Sequence, residues 1–341
     1  MWYSVTLAFV LSAILTPVIT VLCKKFKIYD YADARKIHTG DIPRLGSVAF
    51  VSSFCIASLI YFFVSVSAPF VVLQPLIFAG MIIFVFGVTD DMLNLPGRIK
   101  LVFQSVAALC VVLSGHYFRQ ISFIQLPRWL GMLFSFVWIV GIINAFNLID
   151  GMDGLSSTLS ILILSALGIV LLRSARPAAA ICFMLAAGIA GFIIYNFPPA
   201  KIFMGDGGSQ FIGFMVAALP LYRSTLNFEY NKFLVCLVLV SIPLLDTIAA
   251  IWRRTREHRS FFSGDKAHIH HKLMNIGFSN TQILIALGTT QAVNCVAVGL
   301  AMYFQEWKGS VLLMLAFSYM SLLFSLIHYA NRAVNLKNPK K

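Results

Sequence analysis

Two adjacent aspartates, Asp90 and Asp91, end an apolar run that is long enough to cross a membrane. Neighbouring carboxylates repel each other, and a bilayer boundary is a costly place for charge, so a positive species must compensate the pair. Another boundary, in NAFNLIDGMDGL, carries Asp150 and Asp153, whose spacing places them on one face of a continuing helix. A third boundary, in NFPPAKIFMGDGGSQ, carries Asp206. Acids that recur at such boundaries predict a shared site.

The loop around Asp206 has the composition of a phosphate-binding loop. Pro198 and Pro199 must end the preceding helix, since proline lacks a backbone donor and clashes with the previous turn. Gly205 and Gly207 allow backbone amides to approach a ligand closely. The loop leads into an apolar helix, and the free amides at a helix N-terminus favour phosphate. The sequence therefore predicts a phosphate site here.

A basic loop, GDKAHIHHKL, contains three histidines: His268, His270 and His271. Three close histidines could indicate zinc, but HxHH lacks the usual spacing of a structural zinc site and has no cysteine nearby. The many lysines and arginines around the loop also disfavour a metal cation. We interpret the loop as an anion site in which histidines donate to phosphate.

These residue types favour one kind of chemistry. Carboxylates, asparagines and a glycine loop suit Mg²⁺, a hard cation that takes oxygen ligands and binds together with substrate phosphates. Cations on neighbouring loops suit a diphosphate substrate and a phosphorylated lipid. The sequence contains no GxxxxGK[ST] P-loop, which disfavours ATP hydrolysis.

Asp246, in PLLDT, is an exception because it lies inside an apolar run rather than at its end. The other acids lie at the ends of such runs, which disfavours a transporter with an ion relay. An intramembrane acid is a functional hypothesis by default. The alternative is that Asp246 pairs with a cytoplasmic arginine, and both interpretations stay open at this point.

The elements that position these residues are predicted to be membrane helices. The 341 residues are 59% hydrophobic and 11% charged, which is too apolar for a soluble domain. The apolar runs are continuous rather than alternating, so helices of about 20 residues are favoured over a barrel. We predict an all-α polytopic membrane protein with eleven transmembrane helices in a single domain. The predicted spans are 2–23, 46–66, 71–89, 99–115, 128–148, 155–172, 178–196, 209–222, 230–251, 281–304 and 310–330.

The distribution of Lys and Arg predicts the orientation. With the N-terminus outside and the C-terminus in the cytoplasm, 19 of the 26 Lys and Arg residues lie on the cytoplasmic side, as the positive-inside rule requires. The net charge of +13 then reflects topology and affinity for anionic lipid, and it does not indicate nucleic acid. The predicted catalytic loops, all cytoplasmic, are 24–45, 90–98, 149–154, 197–208 and 252–280.

With these motifs in this order, the chain resembles the polyprenyl-phosphate N-acetylhexosamine-1-phosphate transferases. The matching motifs are RKIHTGDIPRLGS, DDMLNLPGRIKLVFQ, NAFNLIDGMDGL, NFPPAKIFMGDGGSQ, PLLDT and DKAHIHHKL. The family moves a sugar 1-phosphate from a UDP-sugar to undecaprenyl phosphate or a related lipid phosphate, and UMP leaves. The HIHH loop resembles the branch that uses UDP-N-acetylglucosamine and begins teichoic acid, O-antigen or similar envelope glycans. The resemblance also implies a bacterial cytoplasmic membrane location, an active site facing the cytoplasm, and a homodimer.

The resemblance assigns roles to particular residues. It implies that Asp206 binds Mg²⁺, or Mn²⁺ in its place, with Asn147 as a second contact. Asp90 and Asp91 lie by the metal and the lipid phosphate, which one of them deprotonates, and they complete the catalytic set with Asp206. The implied substrate-binding residues are Asp150, Asp153, Asn196, Phe203, His268, His270, His271, Lys36 and Lys100. Among these, Phe203 stacks on uracil and the histidines line the sugar or diphosphate side.

Other functions stay open at this stage. The branch that uses UDP-N-acetylmuramoyl-pentapeptide resembles this chain elsewhere, but it typically has a different histidine-rich loop and a lysine where Asn94 stands. A transporter of a lipid-linked or phosphorylated solute would also explain the spans and basic loops. For the transferase, one direct displacement at phosphorus and a two-step route through an aspartyl-phosphate are both compatible with the residues.

Overall fold

The computed structural model describes residues 1–30, 42–64, 70–222, 226–260, 265, 267–304 and 306–337. Helices form most of this part of the chain, which confirms the predicted all-α polytopic class. The helices are Trp2–Phe26 (α1), Gly46–Val64 (α2), Phe70–Leu93 (α3), Gly97–Leu113 (α4), Arg128–Ile149 (α5), Leu155–Leu171 (α6), Arg176–Asn196 (α7), Asp206–Ala218 (α8), Leu226–Leu239 (α9), Ser241–Arg256 (α10), Ile269–Ile276 (α11), Asn280–Phe304 (α12) and Glu306–Lys337 (α13).

Two short antiparallel hairpins, which the sequence did not predict, accompany the helices. Their strands are Tyr29–Asp30 (β1), Ile42–Pro43 (β2), Gln120–Ile121 (β3) and Ile124–Gln125 (β4). Each pair of strands has only two residue pairs. A strand is recognised in a sequence by alternating apolar and polar residues, and two residues are too few to show this alternation.

Each of the eleven predicted spans coincides with a helix or, for the ninth, with a helix pair. Among the described residues, seven helices are long and apolar enough to cross a membrane, and the bent pair formed by α9 and α10 raises this number to eight. The other three, α4, α6 and α8, have 17, 17 and 13 residues. They are shorter than the ~20 residues that a bilayer core requires. The count of eleven therefore stays a prediction.

The ninth span is not one straight helix, because α9 and α10 meet at an angle of 66°. Pro243, in the first turn of α10, has no N–H to donate to the carbonyl of Leu239, four residues earlier. The side chain of Gln291 donates to that carbonyl instead, at 3.0 Å. Asn294 donates to the hydroxyl of Ser241 at 3.0 Å, on the other side of the break. Residues of α12 thus satisfy polar groups that the bend exposes.

Helix α8 lies at the centre of the bundle, between α3 and α5. Every residue from Gly207 to Ala218 is buried. Glycine makes the close packing possible: a Cβ on Gly87 of α3 would lie 2.4 Å from the Cα of Gly207. Small residues allow membrane helices to approach in this way. The approach places the acidic end of α3 beside the acidic start of α8.

Candidate active site

Asp91 fastens the end of α3 to the start of α8. One carboxylate oxygen accepts from the backbone N–H of Asp206 at 2.8 Å, and the other accepts from the N–H of Gly207 at 3.0 Å. Arg44 completes the arrangement, with its Nε 3.0 Å from Asp91 Oδ1. A carboxylate at a helix N-terminus satisfies amides that have no intrahelical partner. Both oxygens of Asp91 are therefore occupied in holding the loop.

Gly205, which precedes α8, has to be glycine in this arrangement. Its φ of +77° lies in the region that side chains disfavour. A Cβ at this position would also lie 2.4 Å from Asp91 Oδ2 and 2.6 Å from the carbonyl oxygen of Arg44. The sequence predicted that Gly205 lets the backbone approach a ligand closely. In the structure, the group that approaches Gly205 closely is the carboxylate of Asp91.

Lys100 joins the other two aspartates that were predicted to be catalytic, Asp90 and Asp206. Its Nζ lies 2.7 Å from Asp206 Oδ2, and it also forms an ion pair with Asp90 Oδ2. The second oxygen of Asp90 accepts from the N–H of Leu95 at 2.7 Å, which closes the turn after α3. Asp90 is buried, whereas Asp206 and Lys100 keep part of their side chains accessible.

The positive species that compensate Asp90 and Asp91 in the described structure are thus Lys100 and Arg44. The guanidinium of Arg44 also lies 3.8 Å from Asp206 Oδ1. Three carboxylates against two cations leave the cluster with one formal negative charge. We call these five residues the acid–base cluster.

Beside the acid–base cluster lies a cavity of about 520 Å³. It brings together eight predicted site residues from three separate boundaries: Asp150, Asp153, Asn196, Phe203, Asp206, His268, His270 and His271. Asp90, Asp91, Lys100 and Asn147 are not in its wall. Asn147 instead donates to the hydroxyl of Ser209 in the first turn of α8, at 3.2 Å. Lys36 lies outside the described residues.

Asp153 and Asn196 hold the loops that form one wall of the cavity. Asp153 accepts from the N–H of Ala200 at 3.0 Å. The side-chain oxygen of Asn196 accepts from the N–H of Gly154 at 3.2 Å, and its amide donates to the carbonyl of Ile202 at 3.0 Å. Both residues therefore connect the loop after α5 to the loop after α7.

More negative than positive groups surround Asp150: Asp91, Asp153 and Asp206 against Arg44. Burial, followed by the negative charges of Asp206 and Asp91, raises the pKa of Asp150 well above its usual range. The positive charge of Arg44 opposes this rise without cancelling it. A cation beside Asp150 would restore its ionised form.

The histidines reach the cavity from the opposite side, on α11. His268 precedes the helix, and its Nδ1 lies 2.8 Å from Asp246 Oδ2. His270 is buried against Gly151, where a Cβ would lie 2.9 Å from the imidazole Cε1. The ring centroids of His270 and His271 are 4.3 Å apart.

His270 has an unusual environment for a polar side chain. It is 1% exposed, and among the described residues neither ring nitrogen has a hydrogen-bond partner. Burial, with the neighbouring His271 as a smaller cause, lowers the pKa of His270 to about 3. A buried polar group without a partner is costly, so a ligand in the cavity is the natural partner for this neutral imidazole.

The described residues contain no group of three or more His, Cys, Asp or Glu side chains arranged to hold a metal ion by themselves. This arrangement is compatible with Mg²⁺ bound together with a substrate, and it differs from a metal site whose ligands all come from protein side chains. Mg²⁺ is commonly bound through one or two carboxylates, with substrate phosphates and water completing its shell. Asp206, which faces the cavity and starts a helix, is one of the four aspartates in the cavity wall that could take this role, with Asp150, Asp153 and Asp265.

Sequence reasoning did not identify several polar residues of the site. Arg44 was part of the motif RKIHTGDIPRLGS, but nothing distinguished it from the other cations there. Gln104 donates to Gln210 at 3.0 Å and accepts from Asn144 at 2.7 Å, which forms a buried polar chain between α4, α8 and α5. The only available signal was amide residues inside apolar runs. Asp265, whose carboxylate lies 2.5 Å from the guanidinium of Arg253, also lines the cavity.

Comparison of the sequence with known proteins identifies the family. Residues 73–224 match glycosyl transferase family 4, a range that includes Asp90, Asp91 and Asp206 but not the histidines. The chain is 31% identical over 299 residues to a probable undecaprenyl-phosphate N-acetylglucosaminyl 1-phosphate transferase of Bacillus subtilis, with 83% of this chain and 81% of that protein covered.

Two further relatives carry a similar name, undecaprenyl-phosphate alpha-N-acetylglucosaminyl 1-phosphate transferase. The protein from Yersinia pestis is 33% identical over 308 residues, which cover 86% of this chain and 83% of the relative. The protein from Escherichia coli K12 is 31% identical over 314 residues, which cover 87% and 83%. The chain therefore belongs to glycosyl transferase family 4, as a relative of the undecaprenyl-phosphate N-acetylglucosaminyl 1-phosphate transferases.

Proposed function

We propose that the protein transfers N-acetylglucosamine 1-phosphate from UDP-N-acetylglucosamine to undecaprenyl phosphate, releasing UMP. The product is undecaprenyl-diphosphate-N-acetylglucosamine, which starts a cell-envelope glycan such as teichoic acid or O-antigen. The observation that carries this proposal is the cavity, in which Asp206 at the start of α8 and the histidines of α11 line one space. Its volume of about 520 Å³ is within the usual range for small-molecule sites. The names of the relatives support the choice of sugar and lipid.

Mg²⁺ is the cofactor that the charges of the site support. The acid–base cluster keeps one formal negative charge, and Asp150 and Asp153 add carboxyl groups to the same cavity. A UDP-sugar diphosphate brings further negative charge and would be repelled without a cation. Mg²⁺ held by Asp206 would supply that charge and polarise the phosphoryl oxygens. Asn147 of the neighbouring helix α5, which donates a hydrogen bond to Ser209 in the first turn of α8, would be a second contact for the metal.

The acid–base cluster gives different tasks to its two adjacent aspartates. Both oxygens of Asp91 are used by backbone amides and Arg44, so Asp91 fixes the loop. Both oxygens of Asp90 are engaged as well, one by the N–H of Leu95 and the other by Lys100, but Lys100 divides its contact between Asp90 and Asp206. We assign Asp90 to accept the proton of the lipid phosphate. An oxygen of that phosphate then attacks the sugar-linked phosphorus, and the bond to UMP breaks in one displacement. Inversion at a chiral phosphorus would support this route, and retention would support two steps.

The substrate prediction tests the function directly. Purified protein with undecaprenyl phosphate and Mg²⁺ is expected to release UMP from UDP-N-acetylglucosamine but not from UDP-N-acetylmuramoyl-pentapeptide. The motive is the compact HIHH segment, which resembles the branch that uses UDP-N-acetylglucosamine and which packs against Gly151 at His270 beside the cavity. UMP release is measured with each nucleotide separately. Turnover with the pentapeptide nucleotide alone, or binding of UDP-N-acetylglucosamine without any UMP release, would contradict the proposal.

We also infer that the protein is a homodimer in the bacterial cytoplasmic membrane, with eleven spans, the N-terminus outside and the site facing the cytoplasm. The bias of Lys and Arg toward one side supports this orientation. Mean hydropathy and length support seven to eight of the spans.

Topology can be tested with a membrane-impermeant thiol probe on intact cells. Gln125→Cys, in the exposed β3–β4 hairpin, is expected to be labelled, whereas Ser279→Cys, before α12, is expected to be labelled only after permeabilisation. Both positions are exposed, so accessibility within the fold does not separate them. The unsubstituted protein measures the background from its six cysteines. Labelling of Ser279→Cys alone in intact cells would reverse the orientation.

A further inference from the structure

Asp246 has a defined role in the structure that neither of its two sequence interpretations described. It is 1% exposed, and it does not belong to the wall of the cavity. Its Oδ2 lies 2.8 Å from His268 Nδ1, and its Oδ1 accepts from the backbone N–H of Ile269 at 2.8 Å. An ionised carboxylate only accepts hydrogen bonds, so the Nδ1 of His268 carries the proton that joins the two side chains.

This contact determines which part of His268 can meet a ligand. With Nδ1 directed to Asp246, Nε2 is the ring nitrogen left for the cavity, whose wall includes His268. When both ring nitrogens carry protons, Nε2 is a hydrogen-bond donor of the kind that suits a phosphate oxygen.

The surrounding structure places Asp246 for this contact rather than for an arginine. Arg253, one possible partner farther along α10, pairs with Asp265, with distances of 3.1 and 2.5 Å. Asp265 also accepts from the N–H of Ala267 at 2.9 Å. Two carboxylates thus hold the segment on either side of His268. Among the hydrogen bonds of the described residues, only the one with Asp246 involves the imidazole of His268, whose ring also stacks on that of His270.

The bend between α9 and α10 explains how an acid inside an apolar run reaches this position. If α10 continued α9 without a bend, Asp246 would lie farther along the same helix axis. The turn of 66° redirects α10, and the first turn of α11 then lies against the buried face that carries Asp246. Asp246 also supplies the acceptor that the first N–H of α11 requires.

We propose that Asp246 is a positioning residue for the transfer reaction. It holds His268 with Nδ1 directed to the carboxylate, so that Nε2 is left for the cavity and, when it carries a proton, donates to a phosphate oxygen of the UDP-sugar. The inference rests on the proposed function for the identity of the ligand. The orientation of His268 by Asp246 does not depend on it.

The first test is Asp246→Asn, which keeps the shape of the side chain and an oxygen that accepts hydrogen bonds but removes the charge. We expect UMP release to fall about 10–100-fold, the range observed when a group that orients a metal-bound histidine is changed. The melting temperature in detergent should stay close to that of the unsubstituted protein. Glu257→Gln, at the exposed end of the same helix, is the matched control and should keep full activity. Full activity of Asp246→Asn would overturn the proposal.

A double-mutant cycle separates positioning from general damage. If Asp246 acts through His268, then Asp246→Asn should cost little further activity in a His268→Gln background, since coupled residues are not additive. The same loss in both backgrounds would overturn the proposal. Unsubstituted protein that releases no UMP from UDP-N-acetylglucosamine would overturn the proposed function instead, and the spectroscopic test below would still decide the role of Asp246.

The spectroscopic test uses ¹⁵N-labelled histidine, with the signal of His268 assigned by its loss in His268→Gln among the seven histidines. We expect protonated Nδ1 in the unsubstituted protein and a shift toward the Nε2-protonated neutral form in Asp246→Asn. An Nε2-only tautomer in the unsubstituted protein would overturn the proposal, whether or not Asp246→Asn folds.

Discussion

Asp206→Asn is expected to lower UMP release on the order of 10²–10³-fold, a loss comparable to removing one well-placed electrostatic group from an active site. Asparagine keeps the size of the side chain and removes its charge. Asp206 is the one carboxylate of the acid–base cluster that faces the cavity, and it contacts Lys100 at 2.7 Å and Arg44 at 3.8 Å. Without the charge of Asp206, the acid–base cluster has two carboxylates against two cations and loses its net negative charge. The carboxylate ligand proposed for Mg²⁺ is also lost.

The measurement is turnover as a function of Mg²⁺ concentration, with a melting curve in detergent to check the fold. Glu257→Gln removes a carboxylate that is exposed and pairs only with Arg259 at 2.5 Å among the described contacts, so it should change neither quantity. Asp206→Asn should need more Mg²⁺ for half-maximal rate and should still melt cooperatively. Near-normal turnover with the usual Mg²⁺ dependence would place the metal elsewhere, and Asp90 with Asp91 would be the next candidates.

The helices were predictable because their signal is strong and local. Each of the eleven predicted apolar runs contains a helix, since continuous apolar sequence in a membrane leaves the backbone few alternatives. The bend at Pro243 was harder to predict. Proline in a membrane helix is tolerated when a neighbour satisfies the freed carbonyl, and the neighbour here, Gln291, is distant in the sequence.

The cavity residues were also predictable, but through motifs at boundaries rather than through contacts. Eight of the predicted residues line one space, because loops on the same side of a bundle converge. The identity of the charge partners was not predictable. Adjacent acids show that compensation is needed, whereas the choice of Lys100 and Arg44 depends on how α4 and the segment before α2 pack against α3.

The histidines show the same limit. The basic loop indicated an anion site, but the sequence gave no means of distinguishing His268, which is held by Asp246, from His270, whose ring nitrogens have no hydrogen-bond partner among the described residues. That distinction comes from tertiary packing, since Asp246 and His268 are brought together by the bend and His270 is buried against a glycine.

Gly205→Ala is expected to abolish most activity, with a loss of about 100-fold or more. The backbone at this position has a φ of +77°, and a methyl group would lie 2.4 Å from Asp91 Oδ2. The strained backbone alone costs about 1–3 kcal/mol of stability. To relieve the contact, Asp91 must move away from the amides of Asp206 and Gly207, and α8 loses the anchor of its first turn. Misplacement of catalytic groups by about 1 Å costs about 100-fold in rate.

Gly141→Ala is the matched control, because it adds the same methyl group to a helix of the same protein. Gly141 lies within α5, and a Cβ there would meet no atom within 4 Å. Alanine is a better helix former than glycine by about 1 kcal/mol, so activity and melting temperature should be maintained or slightly raised. The comparison uses UMP release and detergent melting for both variants. If Gly205→Ala matched Gly141→Ala in both measurements, the contact of Asp91 with the start of α8 would not be needed to build the site, and Asp91 would require a different role.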